Sequence, residues 1–333
     1  MPWGLVLDAS YVGTVGHKLF VTEDLNPIVN PSTGARLFPL LGIRRWRTSG
    51  ADSEYHSGQL RVDKRLSRGL QFGASYTWSK NMDSISEVFT TGNTQSSLAS
   101  VPAYLGGLRL DWAPSDYDRA HRLVFNYVWD LPVFRGDSNW AGKLLGGWQL
   151  NGIVTFQSGA PFTIANGRDR NGDGQVGPDR PDVGNPNAAH NTRAIIDALC
   201  STGLRNPDRS SVAGTGCVTR NDVYVVQVGT NTGTSLLAPG PATLGRNTER
   251  SKPVQNVDMS LFKIFRIREN LKLEYRVEAF NVLNHPQQTG IPGLDVTNTT
   301  GTDSTTGSPG RFLNYDFVSG GRRSVRMGLK IIF

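Results

Sequence analysis

Apolar and non-apolar residues alternate along several stretches of the chain, most regularly at its C-terminal end. Val325, Met327, Leu329, Ile331 and Phe333 occupy every second position, and Ser324, Arg326, Gly328 and Lys330 fall on the other face. A period of two places the apolar side chains on one face of an extended strand. Chain ends of soluble proteins are usually polar and frayed. An apolar strand that stops on Phe333 therefore predicts a membrane β-barrel and a C-terminal strand that closes it.

The same period recurs along the chain, which predicts about ten or eleven strands. They include strands near 18–22, 223–228 and 312–317. Mixed charges fill the face opposite the apolar positions in the strand that begins at Leu271, which suits either a solvated sheet or the lumen of a large barrel. The clearest alternating segments are 5–11, 60–66, 70–78, 123–131, 148–156, 257–267 and 271–279.

The connections between the predicted strands differ greatly in length. Short turns at 67–69 and 268–270 alternate with long polar segments near 81–118, 159–245 and 284–310. Compact soluble domains rarely contain such long loops, whereas outer-membrane barrels combine short periplasmic turns with long extracellular loops. We therefore predict an all-β fold, an antiparallel transmembrane β-barrel in the outer membrane of a Gram-negative bacterium.

Composition narrows the function classes. The 333 residues include 38 Gly and 18 Pro, with only 38% hydrophobic residues, which indicates many turns and polar loops. No segment approaches the roughly 18 consecutive apolar residues of a spanning helix, which excludes an α-helical membrane protein. The formal charge of +7 is spread along the chain, so we expect no nucleic-acid partner.

One loop segment has the spacing of oxygen ligands for calcium. Asp169, Asn171, Asp173 and Gln175 match the first half of a calcium-binding loop, with Gly174 at its sixth position. The twelfth position, which should carry a bidentate carboxylate, is occupied by Arg180, although Asp179 and Asp182 are nearby. Two interpretations stay open, a Ca²⁺ site and a turn rich in Asn, Asp and Gly.

Two cysteines lie in the longest polar segment. Cys200 and Cys217 fit a disulfide formed in an oxidising compartment, and two free loop thiols are the alternative. The five histidines are scattered without metal-ligand spacing, and no nucleophile elbow or phosphate-binding loop is found. We therefore expect that the protein is not an enzyme.

Several longer runs resemble one family of barrels in the same order. They are similar to the β-barrel of TonB-dependent receptors of the Oar-like type. This resemblance implies that the chain forms the C-terminal half of a barrel of about 22 strands. The runs are 10–20 (SYVGTVGHKLF), 60–83 (LRVDKRLSRGLQFGASYTWSKNMD), 116–132 (DYDRAHRLVFNYVWDLP), 146–164 (GGWQLNGIVTFQSGAPFTI), 244–287 (beginning LGRNTERSKPVQNVDMS) and 320–333 (GGRRSVRMGLKIIF).

The resemblance also has implications for function. Residues 1–333 would be the barrel portion of a receptor that binds a large ligand and takes it up with energy from TonB, without the plug domain, TonB box and signal peptide. Uptake would then belong to the complete protein. Implied partners are outer-membrane lipid and lipopolysaccharide, the barrel assembly machinery through the C-terminal strand, an unknown extracellular ligand, and TonB through a region outside this sequence. The alternatives are a stand-alone small outer-membrane barrel or adhesin, and a soluble carbohydrate-binding β-sandwich.

Overall fold

A computed structural model describes residues 4–30, 33–87, 107–134, 139–170, 179–207, 214, 216–229, 241–286, 296, 312–313 and 321–333. The described chain is mostly strand, with one short helix, α1 (Trp140–Leu145), and 3-10 turns at Gly107–Asp111 and Arg220–Asp222. Among these residues no helix has the length and apolar character needed to cross a membrane. The strands are β1 (Leu5–Asp24), β2 (Ile28–Asn30), β3 (Ala35–Arg36), β4 (Arg45–Ser67), β5 (Leu70–Asp83), β6 (Ala113–Pro114), β7 (His121–Asp130), β8 (Trp148–Gln157), β9 (Pro161–Phe162), β10 (Asp182–Val183), β11 (Arg193–Ile196), β12 (Leu204–Arg205), β13 (Val225–Val226), β14 (Glu249–Arg250), β15 (Val254–Arg268), β16 (Leu271–Phe280) and β17 (Ser324–Ile332).

The eight long strands form one antiparallel sheet in the order β1-β4-β5-β7-β8-β15-β16-β17, with β6 added beside β5. This arrangement confirms the predicted antiparallel all-β fold. The predicted strand near 18–22 is the C-terminal part of β1, and the one near 223–228 contains β13 of a separate small sheet. Most of 312–317 lies outside the described residues, so the total of ten or eleven strands stays a prediction.

The pairing register joins the predicted apolar positions of neighbouring strands into one continuous face. Ala9 pairs with Leu60, Leu60 with Tyr76, Tyr76 with Leu123, and Leu123 with Phe156. At the other side of the sheet the same face continues through Leu261, Val277 and Met327. Successive side chains of a strand point to opposite faces, so this in-register pairing follows directly from the period of two. We call this surface the apolar face.

The opposite surface, which we call the polar face, carries charges of both signs. On β16, Arg276 forms ion pairs with Glu274 at 2.8 Å and with Glu278 at 3.5 Å. The register places Lys330 of β17 opposite Glu274 and Arg326 opposite Glu278. Opposite charges in cross-strand positions stabilise a sheet modestly where water is present. This surface is therefore suited to water and the other to lipid.

The connections at the two ends of the sheet are unequal. At one end β4 and β5 join through a tight turn in which Arg68 and Gly69 have φ of 52° and 80°, the two positive values that a type I′ hairpin requires. β15 and β16 join through a similarly short turn at this end, and the connection from β7 to β8 contains α1. Long connections lie at the opposite end, at residues 25–44, 84–120, 158–253 and 281–323.

β1 and β4 extend well beyond a bilayer. They contain 20 and 23 residues, whereas a membrane-spanning strand needs about 9–11. Their far ends stay paired up to Asp24 and Arg45, and Val21, Ala51 and Ile85 form a small buried core there. In the predicted membrane barrel, the sheet would therefore extend beyond the bilayer on the side of the long connections.

A charge introduced on the apolar face should destabilise the folded protein in membranes. We expect Leu329→Arg to lower the free energy of unfolding in lipid by about 2–4 kcal/mol if Leu329 lies near the bilayer midplane. The matched control is Gly328→Arg on the polar face, where an added Cβ meets no atom within 4 Å and the facing residue, Arg276, is itself paired with Glu274 and Glu278. Denaturant titration in lipid vesicles would compare the two. Equal destabilisation by both substitutions would contradict the assignment of the faces.

Candidate functional site

The connection between β8 and β15 is a folded unit, which we call the cap and define as the described residues of 158–253. Strands β10, β13, β11 and β12 form a four-stranded sheet within it, with β11 and β13 parallel. The long polar segment that the sequence suggested as a loop thus has its own core. That core buries Phe162, Ile164, Tyr224, Val225 and Leu244, together with Val296, Phe312 and Leu313 from the connection between β16 and β17.

A disulfide closes one side of the cap. Cys200 and Cys217 are bonded, with their Cα atoms 5.4 Å apart. The bridge holds Cys217 beside Arg205, with which it forms an isolated β-bridge. Arg205 also forms an ion pair with Asp197. The two cysteines therefore fasten the outer hairpin of the cap, formed by β11 and β12.

A buried arginine joins the cap to the end of the sheet. The guanidinium of Arg246 forms an ion pair with the carboxylate of Asp83, the last residue of β5, and donates to its carbonyl at 2.5 Å. It also donates to Asp111 O at 2.9 Å and to Ser86 Oγ at 3.1 Å. Both members of the ion pair are buried. Loss of one partner would leave an uncompensated buried charge, so this contact fixes the cap on β5.

Further contacts join the cap to the connection 84–120. Arg180 forms an ion pair with Asp111 at 2.6 Å, with both side chains only 3% exposed. Arg250 pairs with Asp118 at 2.5 Å, and Asn247 donates to Asp116 at 2.6 Å. The polar cluster just before β7, which includes Asp116 and Asp118, therefore has a structural role.

The calcium-like segment is only partly described. Asn171, Asp173 and Gln175 lie outside the described residues, whereas Asp169 is buried within the cap. Of the two nearby carboxylates, Asp182 forms a two-point ion pair with Arg170, with both distances 3.1 Å. In the part of the chain that the structure describes, no three His, Cys, Asp or Glu side chains are grouped as a metal site. Calcium binding by Asp169, Asn171, Asp173 and Gln175 stays a prediction.

A cluster of three polar side chains in the cap has no counterpart in the sequence motifs. Glu249 accepts from the hydroxyl of Tyr224 at 2.8 Å and lies 3.0 Å from His190 Nδ1. The rings of His190 and Tyr224 stack with centroids 4.1 Å apart. Burial and the bond to Glu249 raise the pKa of Tyr224 well above its ordinary value. A neutral phenol therefore donates to the glutamate and holds β14 against the core. Sequence reasoning missed this cluster because its members are far apart in the chain.

A groove of about 510 Å³ lies where the sheet meets the cap. Its apolar wall includes Tyr11 and Trp78, and its polar wall includes His56, Lys80 and Arg250. Trp78 is 62% exposed, and the hydroxyl of Tyr11 lies 2.5 Å from His56 Nδ1. Aromatic surfaces beside cations can hold a ligand that has an apolar part and an anionic part. The register places Tyr11, His56, Trp78 and Lys80 on the same side as Leu60 and Tyr76, so the groove opens on the apolar face. Exposed aromatic side chains at this position are typical of the girdle of a barrel at the membrane interface.

The residues predicted to close a barrel lie at one edge of the sheet. Val325, Met327, Leu329 and Ile331 project from the apolar face of β17, and Phe333 follows the strand and is 96% exposed. β17 pairs with β16 on one side, and among the described residues no strand pairs with its other side. Their recognition by the barrel assembly machinery stays a prediction.

Comparison with known protein families agrees with this geometry. The family model described as "Outer membrane beta barrel domain" matches residues 1–314. The chain belongs to the outer membrane beta barrel domain family. The soluble β-sandwich considered from the sequence is therefore excluded, and the predicted outer-membrane location is confirmed. In such barrels the short turns are periplasmic and the long connections extracellular, so an extracellular cap stays a prediction.

A comparison with solved structures gives a more distant similarity for this outer membrane beta barrel domain. The crystal structure of the outer membrane transporter YddB from Escherichia coli has a TM-score of 0.38 and 10% sequence identity to the chain. The match covers 98% of the chain and 30% of the transporter, so the chain spans less than a third of that protein's length. No curated protein sequence matches the chain significantly.

Removal of the Arg246 guanidinium should release the cap from the sheet. We expect Arg246→Ala to destabilise the cap by about 3–5 kcal/mol, because Asp83 would stay buried without its partner. Hydrogen exchange should then accelerate in 241–250 and in 107–118, with little change in β16. Arg220→Ala is the control, because Arg220 is half exposed and its ion pair with Asp182 is long, at 3.9 Å, so its loss should cost little. Unchanged exchange in Arg246→Ala would contradict this role.

Proposed function

We propose that the chain forms part of the wall of an outer-membrane transport barrel, in which the polar face borders an aqueous passage and the cap captures a large ligand. The observation that carries this proposal is the two-sided sheet. The apolar face is continuous across the eight long strands, and the polar face carries charges of both signs. A sheet of this kind separates lipid from water.

The side chains of the polar face support passage of a hydrated ligand. Arg61 and Asp63 form an exposed ion pair at 2.6 Å on β4, and the pairs around Arg276 lie on β16. The polar face thus carries both positive and negative charges near each of its two edges. Such a surface can exchange weak contacts with a polar solute without holding it permanently, since exposed ion pairs are worth little individually.

The edges of the sheet support a larger barrel. β1 and β17 are the terminal strands of the sheet, and the described residues show no pairing between them. Lipid offers no hydrogen-bonding groups to an exposed strand edge. We therefore infer that further strands pair with both edges in the transport-competent protein, which agrees with the barrel of about 22 strands implied by the resemblance to TonB-dependent receptors.

The extracellular end supports ligand capture. The cap has its own core and is fastened by Arg246, so its outer surface is preorganised. Binding surfaces that need no ordering step bind more tightly, because less conformational entropy is lost. The resemblance to TonB-dependent receptors is the support for TonB as the energy source.

The passage can be tested with cysteines on neighbouring residues of opposite faces. We expect Ser75→Cys and Thr155→Cys on the polar face to react with a small hydrophilic thiol reagent in intact outer membranes. Ala74→Cys and Val154→Cys on the apolar face are the matched controls and should be protected by lipid. The cysteines of the cap form a disulfide and do not compete for the reagent. Protection of all four positions would contradict an aqueous passage.

The energy source can be tested with the same variants. If TonB opens the passage, dissipation of the inner-membrane proton gradient by a protonophore should slow the labelling of Thr155→Cys from outside the cell. Labelling on the exposed surface of the cap, for example at Leu199→Cys, should not change, because Leu199 is 60% exposed. Labelling of Thr155→Cys that is independent of the gradient would contradict energised opening.

A further inference from the structure

The connection between β7 and β8 exposes large apolar side chains at the periplasmic end. Val133 and Phe134 are 51% and 43% exposed, and Trp140, Leu144 and Leu145 of α1 are 76%, 52% and 47% exposed. A connection that projects into water would not normally present five such residues together. The other two turns at this end are short and carry mostly polar residues. This connection therefore needs an apolar environment of its own.

The position of α1 is fixed by a buried lysine of the apolar face. The register pairs Lys263 of β15 with Trp148 and Tyr275, both members of that face. Its ammonium donates to Lys143 O at 2.6 Å, to Leu144 O at 2.9 Å and to Gly146 O. These carbonyls match the three donors of an ammonium and belong to the C-terminal turn of α1, where a cation is favourable.

The direction of Lys263 determines on which side of the sheet the helix lies. Because its side chain leaves the apolar face, the end of α1 that it contacts also lies on that face, toward the membrane. The rings of Trp148 and Phe265 flank the ammonium, with centroids at 5.8 Å and 4.8 Å. Lys263 is only 4% exposed. A charged lysine is unfavourable in lipid, but all three donors of Lys263 are hydrogen-bonded to the C-terminal end of α1, so the lysine holds the helix against the sheet.

The described parts of the connection pack closely. Asn139 Oδ1 accepts from Gly142 N at 2.7 Å and begins the helix, and Trp148 Nε1 donates to Leu144 O at 3.2 Å. A Cβ at Gly146 would lie 2.6 Å from Phe134 O, so only glycine permits this approach. Val133, Phe134 and α1 therefore form one unit, which we call the foot.

We propose that the foot inserts into the interfacial layer of the phospholipid leaflet at the periplasmic end and is fastened to the barrel wall by Lys263. Phospholipid is the occupant that the geometry favours, since the foot is continuous with the lipid-facing surface through Lys263 and Trp148. The helix α1 contains a tryptophan, two leucines and a lysine, a composition typical of segments that lie in the membrane interface. The proposal depends on the membrane orientation of the sheet and does not require an aqueous passage.

The environment of the foot can be measured with a fluorescent label on the full chain in phospholipid vesicles. Leu144→Cys carries a bimane label, and the control label is at Asn270→Cys in the exposed turn between β15 and β16 at the same end. Circular dichroism verifies the β-sheet of both variants. We expect the Leu144 label to be quenched by phospholipids that carry a nitroxide near the headgroup, and several-fold less by iodide than the Asn270 label.

Two other results would overturn insertion of the foot into lipid. Equal iodide quenching at both positions would mean that the foot lies in water. Protection from iodide without quenching by nitroxide phospholipids would mean that protein covers the foot, as in contact with a periplasmic partner or a second copy of the chain.

The fastening is tested by Lys263→Met, which keeps the length of the side chain and removes its three donors. We expect the Leu144 label to become more accessible to iodide in this background while the sheet signal is retained. Lys330→Met on the polar face of β17 is the control and should leave the label unchanged. An unchanged label in Lys263→Met would overturn the role of the lysine. The cysteine accessibility of the polar face is a separate measurement, so failure of the foot and failure of the passage are distinguishable.

Discussion

The structure depends on the requirement that backbone N–H and C=O groups within lipid find partners inside the protein. Water is absent from the hydrocarbon layer, so each strand must be paired along its length. Eight antiparallel strands meet this requirement at every internal edge of the sheet. Pairing in register then gathers alternate side chains into two surfaces, one for lipid and one for water. Among the described residues the outer edges of β1 and β17 are unpaired, and by the same requirement we expect each to pair with a further strand in the membrane.

Outside the bilayer this requirement is relaxed, and the chain uses different interactions. The cap contains few apolar residues, and a disulfide, a small hydrophobic core and buried arginine ion pairs stabilise its fold. Arg246 connects it to the last residue of β5, so the cap and the long-stranded sheet are mechanically coupled. At the end with the short turns, Lys263 plays a comparable part by joining α1 to the sheet. Charged side chains thus fasten the cap to one end of the sheet and α1 to the other.

Local patterns were sufficient to predict the sheet but not these fastenings. The alternation in β16 and β17 identified their faces correctly, since the period of two is a property of the strand itself. Lys263, in contrast, interrupts the alternation of apolar residues in β15. Its role cannot be predicted until the fold places α1, about 120 residues earlier, beside it. Arg246 and Asp83 are separated by 163 residues. Contacts of this kind depend on tertiary structure, and a single sequence does not record them.

The central claim is that one sheet surface contacts lipid and the other contacts water. Nitroxide labels placed one at a time along β16, residues 271–280, would test it most directly in phospholipid vesicles. Molecular oxygen concentrates in lipid and a nickel chelate in water, so collisions with each report the environment. The account predicts a two-residue period, with oxygen collisions highest at Leu273, Tyr275, Val277 and Ala279 and nickel collisions highest at the positions between them. Nickel collisions of equal strength at all ten positions would contradict it.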